Sequence, residues 1–262
     1  MVVTAAGCGG QYGASTAPTA AKPSLRRAVT DRVADDRFTV TFSAAALQAA
    51  QTAGVSLPAL VDRVLDHVNT LLPGPKASIS VSDGRPAVLS PQSGTEGYTN
   101  PMNGRIMVAF GTVPQVSIKK VLTFWFPRDL AHEVSHSVRI LAGPGHGPSL
   151  LEEFVDEGIA TAFDQAAFPG PPDPGGAAIT PSQECTLWNK AEFLLGDSGI
   201  DGTWMFGGNS YGYAVPSLTG FTIGYHIVND YREQHPHAGW AALTSASAAT
   251  ILAGSGYQPC SP

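Results

Sequence analysis

Asp129-Leu-Ala-His-Glu-Val-Ser-His-Ser-Val-Arg139 sets two histidines four residues apart, His132 and His136, with Glu133 directly after the first. Around them Leu130, Val134, Val138 and Leu141 recur at three- and four-residue steps, which predicts an amphipathic helix over 128–142 with one face in the core. A four-residue step returns almost to the same side of a helix, so both imidazoles project in one direction and can share a cation. Glu133 is offset by one position, where its carboxylate can reach a metal-activated water without being a ligand. The pattern therefore divides into two ligands and one base.

Downstream, Leu150-Leu-Glu-Glu-Phe-Val-Asp-Glu-Gly-Ile-Ala-Thr-Ala-Phe163 reads as a second helix carrying an acidic cluster. A catalytic zinc commonly takes three protein ligands and keeps a fourth position open, and a glutamate from this helix supplies the third. Glu157 is the choice, because Gly158 and Ala160 behind it are small enough for the two helices to approach closely. Glu153, one turn earlier, is the alternative ligand or else a hydrogen-bond partner that fixes a ligand imidazole. Asp156 and Glu152 are expected to point elsewhere, solvated or capping the helix. His146 sits in a Gly-Pro-Gly-His-Gly-Pro loop and is expected at the surface. The metzincin spacing is excluded, because Arg139 and Ala142 stand where it needs Gly and His, and no C-x-x-C pair exists for a zinc ribbon.

Towards the amino terminus, Phe38–Phe42 alternates apolar and polar residues and predicts a strand. Residues 44–53 suit a helix, and 57–72 carry a leucine and valine stripe that predicts a second. Further strands are expected at 77–81 and 105–110, divided by a Gly/Pro/Ser-rich connection. Helices are expected over 116–126, 149–167, 181–195, 218–234 and 238–253. Strands early and helices late predict an α+β fold, a small N-terminal sheet with helices stacked on it. Residues 1–36 read as signal remnant and tether, and 37–262 as one domain, strand-rich over 37–115 and helical over 116–262.

The 262 residues carry a formal charge of −6 with 14% charged and 43% hydrophobic residues, enough apolar matter for a sizeable core. Without a basic field, nucleic acid is not an expected partner. No apolar run has the length of a membrane span. The start, Met-Val-Val-Thr-Ala-Ala-Gly-Cys8 followed by a Gly/Ser/Thr/Pro/Ala tract, resembles the end of a bacterial lipoprotein signal, with Cys8 as the acylated residue and the only membrane attachment. The start of that signal would then lie upstream of Met1. Cys185 and Cys260 remain as a disulfide pair or two buried thiols, and an oxidising compartment favours the bridge.

These blocks resemble the gluzincin clan of metallopeptidases, and more closely a group of bacterial predicted zinc-dependent proteases that are often lipoproteins. The pieces are His132 to Arg139, Leu150 to Ala160, and Gly220-Phe-Thr-Ile-Gly-Tyr-His-Ile-Val228. The resemblance implies one zinc per chain held by His132, His136 and Glu157, Glu133 as general base, and a peptide or protein substrate outside the cytoplasm. It also implies a tyrosine where Phe221 stands. Tyr225, one turn later, is then the candidate to stabilise the oxyanion, with Tyr211 and Tyr213 behind it and core packing as the alternative for each. A substrate peptide is expected to pair with the 105–110 strand. The rival reading is a non-catalytic surface lipoprotein that keeps the scaffold for binding.

Overall fold

The computed structural model describes residues 36–84, 90–210 and 212–260; Cys8, the tether and Tyr211 lie outside them. Strand β1 (Phe38–Phe42) is followed by helices α1 (Ala44–Thr52) and α2 (Leu57–Leu71), then β2 (Ala77–Asp83), β3 (Thr95–Thr99) and β4 (Ile106–Phe110). A one-turn helix α3 (Ile118–Lys120) runs through a π-helical turn at Val121–Trp125 into α4 (Phe126–Ala142), which packs against α5 (Leu150–Ala167). Then come α6 (Pro181–Ala191), α7 (Asp201–Phe206), a short hairpin of β5 (Gly208–Ser210) and β6 (Tyr213–Val215), α8 (Thr219–Gln234), α9 (Trp240–Ser245) and α10 (Ala248–Ser255). The architecture is α+β.

The four-stranded sheet has the order β1-β2-β4-β3, with β1, β2 and β4 parallel and β3 antiparallel to β4. Strand alternation sorts its faces. Phe38, Val40, Phe42, Ile79, Val81, Ile106, Val108 and Phe110 are buried in one core with the stripe of α2 and with Phe126, Leu130 and Val134 of α4. The 105–110 strand, expected to receive a peptide, is β4 and lies inside the sheet with both edges occupied. The edge strands are β1 and β3, and the edge that lies against α4 is β3, which falls within the segment expected as a Gly/Pro/Ser-rich connection.

Helix α4 is buried on nearly every side, Arg128, Glu133, Ser135, His136, Ser137 and Arg139 included, where periodicity had predicted one buried face. Its apolar stripe faces the first core. Its polar side packs against α5, so each polar group there needs a partner within the protein. The π-helical turn before it has a local cause, since Pro127 has no N–H to give the ladder and Phe126 N–H reaches back to Val121 O.

A second core gathers Phe154, Ile159, Trp188, Trp204, Ile223, Ile227 and Ile251 from α5, α6, α7, α8 and α10. Its tightest contact is the crossing of α5 and α8. A Cβ on Gly224 would overlap the carbonyl of Phe154, and one on Gly158 would overlap the backbone of Gly224. Gly158 thus brings α8, not α4, close to the helix that carries Glu157. The single helix expected over 238–253 is split, because Ser247 caps α10 by accepting from Thr250 N–H, and the buried Arg139 donates to the carbonyls of Thr244 and Ala246 at the break. Cys185 and Cys260 form a disulfide with Cα atoms 4.7 Å apart, tying α6 to the carboxyl-terminal segment.

Candidate metal centre

The four-residue step on α4 brings Nε2 of His132 and Nε2 of His136 to 3.0 Å from one another. Glu157, from α5, sets Oε2 at 3.1 Å from the first and 3.5 Å from the second. A tetrahedral zinc with bonds of 2.0–2.1 Å separates its ligand atoms by about 3.3 Å, so the three donors already stand at the spacing the ion requires. Among the described residues this is the one group of His, Cys, Asp and Glu close enough to hold an ion. Two nitrogens and one carboxylate oxygen also suit zinc chemically.

The outward nitrogen of each histidine meets a carboxylate backed by an arginine. His132 Nδ1 lies 3.4 Å from Asp164 Oδ2, and Arg128 Nε lies 3.5 Å from Asp164 Oδ1. His136 Nδ1 lies 3.2 Å from Asp156 Oδ1, and Arg139 Nε lies 3.5 Å from that same oxygen. Such partners turn the imidazoles so that each Nε2 faces the shared donor group, and they raise the basicity of the rings. Asp156, expected to point elsewhere, and Asp164, seven residues beyond Glu157 on the same face of α5, hold the positions that the sequence reading had offered to Glu153.

Glu153 instead pairs with His146, at 2.7 Å from Nε2, while His146 Nδ1 lies 3.1 Å from Asp156 Oδ2. His146 is therefore a half-buried clasp between the glycine-rich loop and α5, not a detached surface residue, and it also lines the cleft. Glu152 does cap its helix, its carboxylate accepting from Ser149 N–H and Oγ.

The electrostatics follow from this crowding. Burial opposes a charged imidazolium, yet the carboxylates of Asp164, Asp156 and Glu157 outweigh it and push both histidines well above 6.5. Burial likewise opposes the Glu157 carboxylate, but His136 and His132 hold it down at about 2. Asp164 is raised to about 6, chiefly by burial. With both imidazoles neutral, as a metal ligand must be, the carboxylates of Asp156, Glu157 and Asp164 outnumber the guanidinium groups of Arg128 and Arg139, an arrangement that a divalent ion balances.

Glu133 stands beside the three donors and is not one of them. Its Oε2 accepts a hydrogen bond of 2.6 Å from Thr99 Oγ1 on β3, and burial raises its pKa above 4.5. Gly97, two residues earlier on β3, lies so close that a Cβ there would overlap the Glu133 carboxylate. Thr99 and Gly97 escape sequence reading because nothing local links them to a helix more than thirty residues away.

A cleft of 660 Å³ opens over these groups, walled by β3, α4, the 173–175 loop and the start of α8. Phe221 lines it. Tyr225 does not; its ring packs beside Gly176 and against the second core, one turn too far along α8. Tyr213 meets Trp204 edge-on and lies under Lys190, also away from the cleft. The oxyanion role expected of Tyr225 finds no support in this lining, where the tyrosine among the described residues is Tyr98 of β3.

A small sheet with an antiparallel edge strand, laid over a helix whose two histidines converge with a glutamate of the next helix, defines an α+β protein with an H-E-x-x-H helix and a donor group compatible with a metal ion. The chain belongs to the family described as predicted Zn-dependent protease (DUF2268), whose family model matches residues 59–253, from within α2 to within α10. No curated protein and no solved structure matches the chain.

Proposed function

We propose that the protein is a mononuclear zinc peptidase of gluzincin type, with His132, His136 and Glu157 as ligands and Glu133 as general base. The observation that carries this reading is the separation of roles among the acidic groups. Glu157 converges on both Nε2 atoms, whereas Glu133 turns to Thr99 and stays free of the donor set. Zinc bound there would polarise the scissile carbonyl and make the attacking water acidic near neutral pH. Glu133 takes the proton from that water and returns it to the leaving amine, a task for which its raised pKa suits it. Thr99 holds the carboxylate in position through the exchange.

Strand β3 is the substrate's docking edge in this reading. Its ladder with β4 includes Asn100 N–H to Arg105 O and Gly111 N–H to Gly94 O, and alternation directs the backbone groups of Gly97 and Thr99 outward, where an extended peptide pairs with them. The disulfide between Cys185 and Cys260 supports a location outside the cytoplasm, where such bonds persist, and anchoring through Cys8 belongs to the same proposal. The experiment is a digest of a broad peptide library by zinc-loaded protein, with and without a chelator, beside the Glu133→Gln variant. Cleavage abolished by chelation and by the variant supports the reading. A variant that keeps zinc and still cleaves removes Glu133 from its role, and zinc-loaded wild type that cleaves nothing favours the binding-only alternative.

A further inference from the structure

The first turns of α4 carry a carboxylate that the hydrolytic mechanism does not use. Asp129 precedes His132 by three residues and lines the cleft with Trp125, Asp173 and Phe221. Its Oδ2 is shut off from solvent and has no hydrogen-bond partner among the described residues, and the indole Nε1 of Trp125 is buried and unpartnered in the same wall. Arg128, the neighbouring cation, is turned toward other groups, with Nη1 donating to Pro171 O at 2.8 Å and Nε facing Asp164, while its Nη2 is also buried without a hydrogen-bond partner among the described residues. Burial and then the like charges of Glu133, Asp164 and Asp173 raise the Asp129 carboxyl well above 3.8, with His132 alone opposing them. Asp129 as a whole is only partly buried and lines the cleft, so its carboxylate, set among like charges with no hydrogen-bond donor among the described residues, is open to a cation from the cleft through its other oxygen. A second metal ion does not suit it, because among the described residues Asp129 belongs to no group of ligand atoms close enough to hold one.

We infer that this end of the cleft is a subsite for a basic side chain, lysine or arginine, of the substrate peptide, received by Asp129. The inference rests on the peptidase reading above and names a substrate class for it. Asp173, at the turn that gives Gly175 N–H its acceptor, adds negative charge. Trp125 and Phe221 offer aromatic surface to the aliphatic stem and to the cation.

The test is calorimetric titration of the full chain, zinc-loaded and carrying Glu133→Gln so that peptides bind without turnover. Three probes are used: an acetylated, amidated alanine pentapeptide with central lysine, the same with central norleucine, and the norleucine peptide with a free amino terminus. The lysine peptide is expected to bind at least tenfold more tightly than acetylated norleucine. That ratio should fall below threefold in Asp129→Asn and partway in Asp173→Asn. Removing one charge from a crowd of carboxylates should leave the melting temperature of Asp129→Asn no lower than its parent, so misfolding does not account for the loss. Equal binding of all three peptides, or a ratio that survives Asp129→Asn, overturns the subsite and leaves the peptidase reading intact. A gain that follows the free amine in place of lysine overturns the basic side chain as the ligand. Failure of every peptide to bind a chain holding one zinc overturns the peptide reading and the subsite with it.

Discussion

Gly97 on edge strand β3 touches the carboxylate of Glu133 on α4, with no room for a Cβ between them. The strand that borders the cleft and the group assigned as base are thus packed as one unit, with the Thr99 hydroxyl completing the contact at 2.6 Å. Gly97→Ala should force the carboxylate aside while leaving the ligands of α4 and α5 in place. The expected result is a fall in kcat of about 100-fold, as displacement of a catalytic group by an ångström brings, with one zinc per chain retained by elemental analysis.

The two aspartates behind the histidines should govern metal affinity. Asp156→Asn and Asp164→Asn are each expected to weaken zinc binding about 10- to 100-fold in a competitive chelator titration, whereas Glu157→Ala should abolish it. Glu153→Ala, which removes a partner of His146 only, should leave affinity within about threefold. A larger loss for Glu153 than for Asp156 would contradict the contacts described.

His146 makes the loop clasp dependent on pH. Hydrogen bonds to Asp156 and Glu153 raise its pKa from 6.5 to about 10. A raised folded-state value means that the stabilisation is complete below pH 6.5 and disappears as pH climbs to about 10. With the side chain 33% exposed, solvent screening reduces the contribution to about 1 kcal/mol. His146→Gln should therefore lower Tm by about 2–4 °C at pH 6 and by almost nothing at pH 10, measured in metal-free protein. An equal loss at both values would mean that packing, and not charge, is what the histidine supplies.

Gly224→Ala tests the crossing of α5 and α8. The added methyl meets the backbone carbonyl of Phe154, which cannot rotate away as a side chain would, so a loss of about 3 kcal/mol or more is expected. Because Glu157 rides on α5, zinc affinity should fall together with Tm. Gly212→Ala, where a Cβ meets nothing but φ is +86°, should cost only about 1 kcal/mol and leave zinc binding alone.

Breaking the disulfide isolates another term. Cys260→Ser opens a connection spanning 75 residues, for which loss of the constraint on the unfolded chain costs about 2–4 kcal/mol. The drop in denaturation midpoint should match that of wild type under reductant, and zinc binding should persist, since α6 contributes no ligand.

What the sequence determined by itself was whatever depends on neighbours within a turn or two. The four-residue step from His132 to His136 places two nitrogens on one side of any helix it forms, and the spacing of Leu60, Val61, Val64 and Val68 buries one stripe of α2. The Ser149–Glu152 box begins α5 without help from afar. The convergence of Glu157 with the two histidines was legible too, although through resemblance and a packing argument that the structure reassigns, since Gly158 meets α8. Tertiary structure alone decided which of the acidic residues on α5 face a histidine. Glu153, Asp156, Glu157 and Asp164 differ little in local pattern, and the crossing of α4 and α5 allots one to each available nitrogen. It also decided that Thr95–Thr99 is a strand. Its pairing with β4 and its contact with Glu133 come from distant segments, while its own composition reads as a turn-rich connection. Phe221 rather than Tyr225 reaches the cleft for the same reason: periodicity fixes their relative angle on α8, but the packing of α8 against α5, closest where Gly224 meets Phe154, decides which of them faces the cleft.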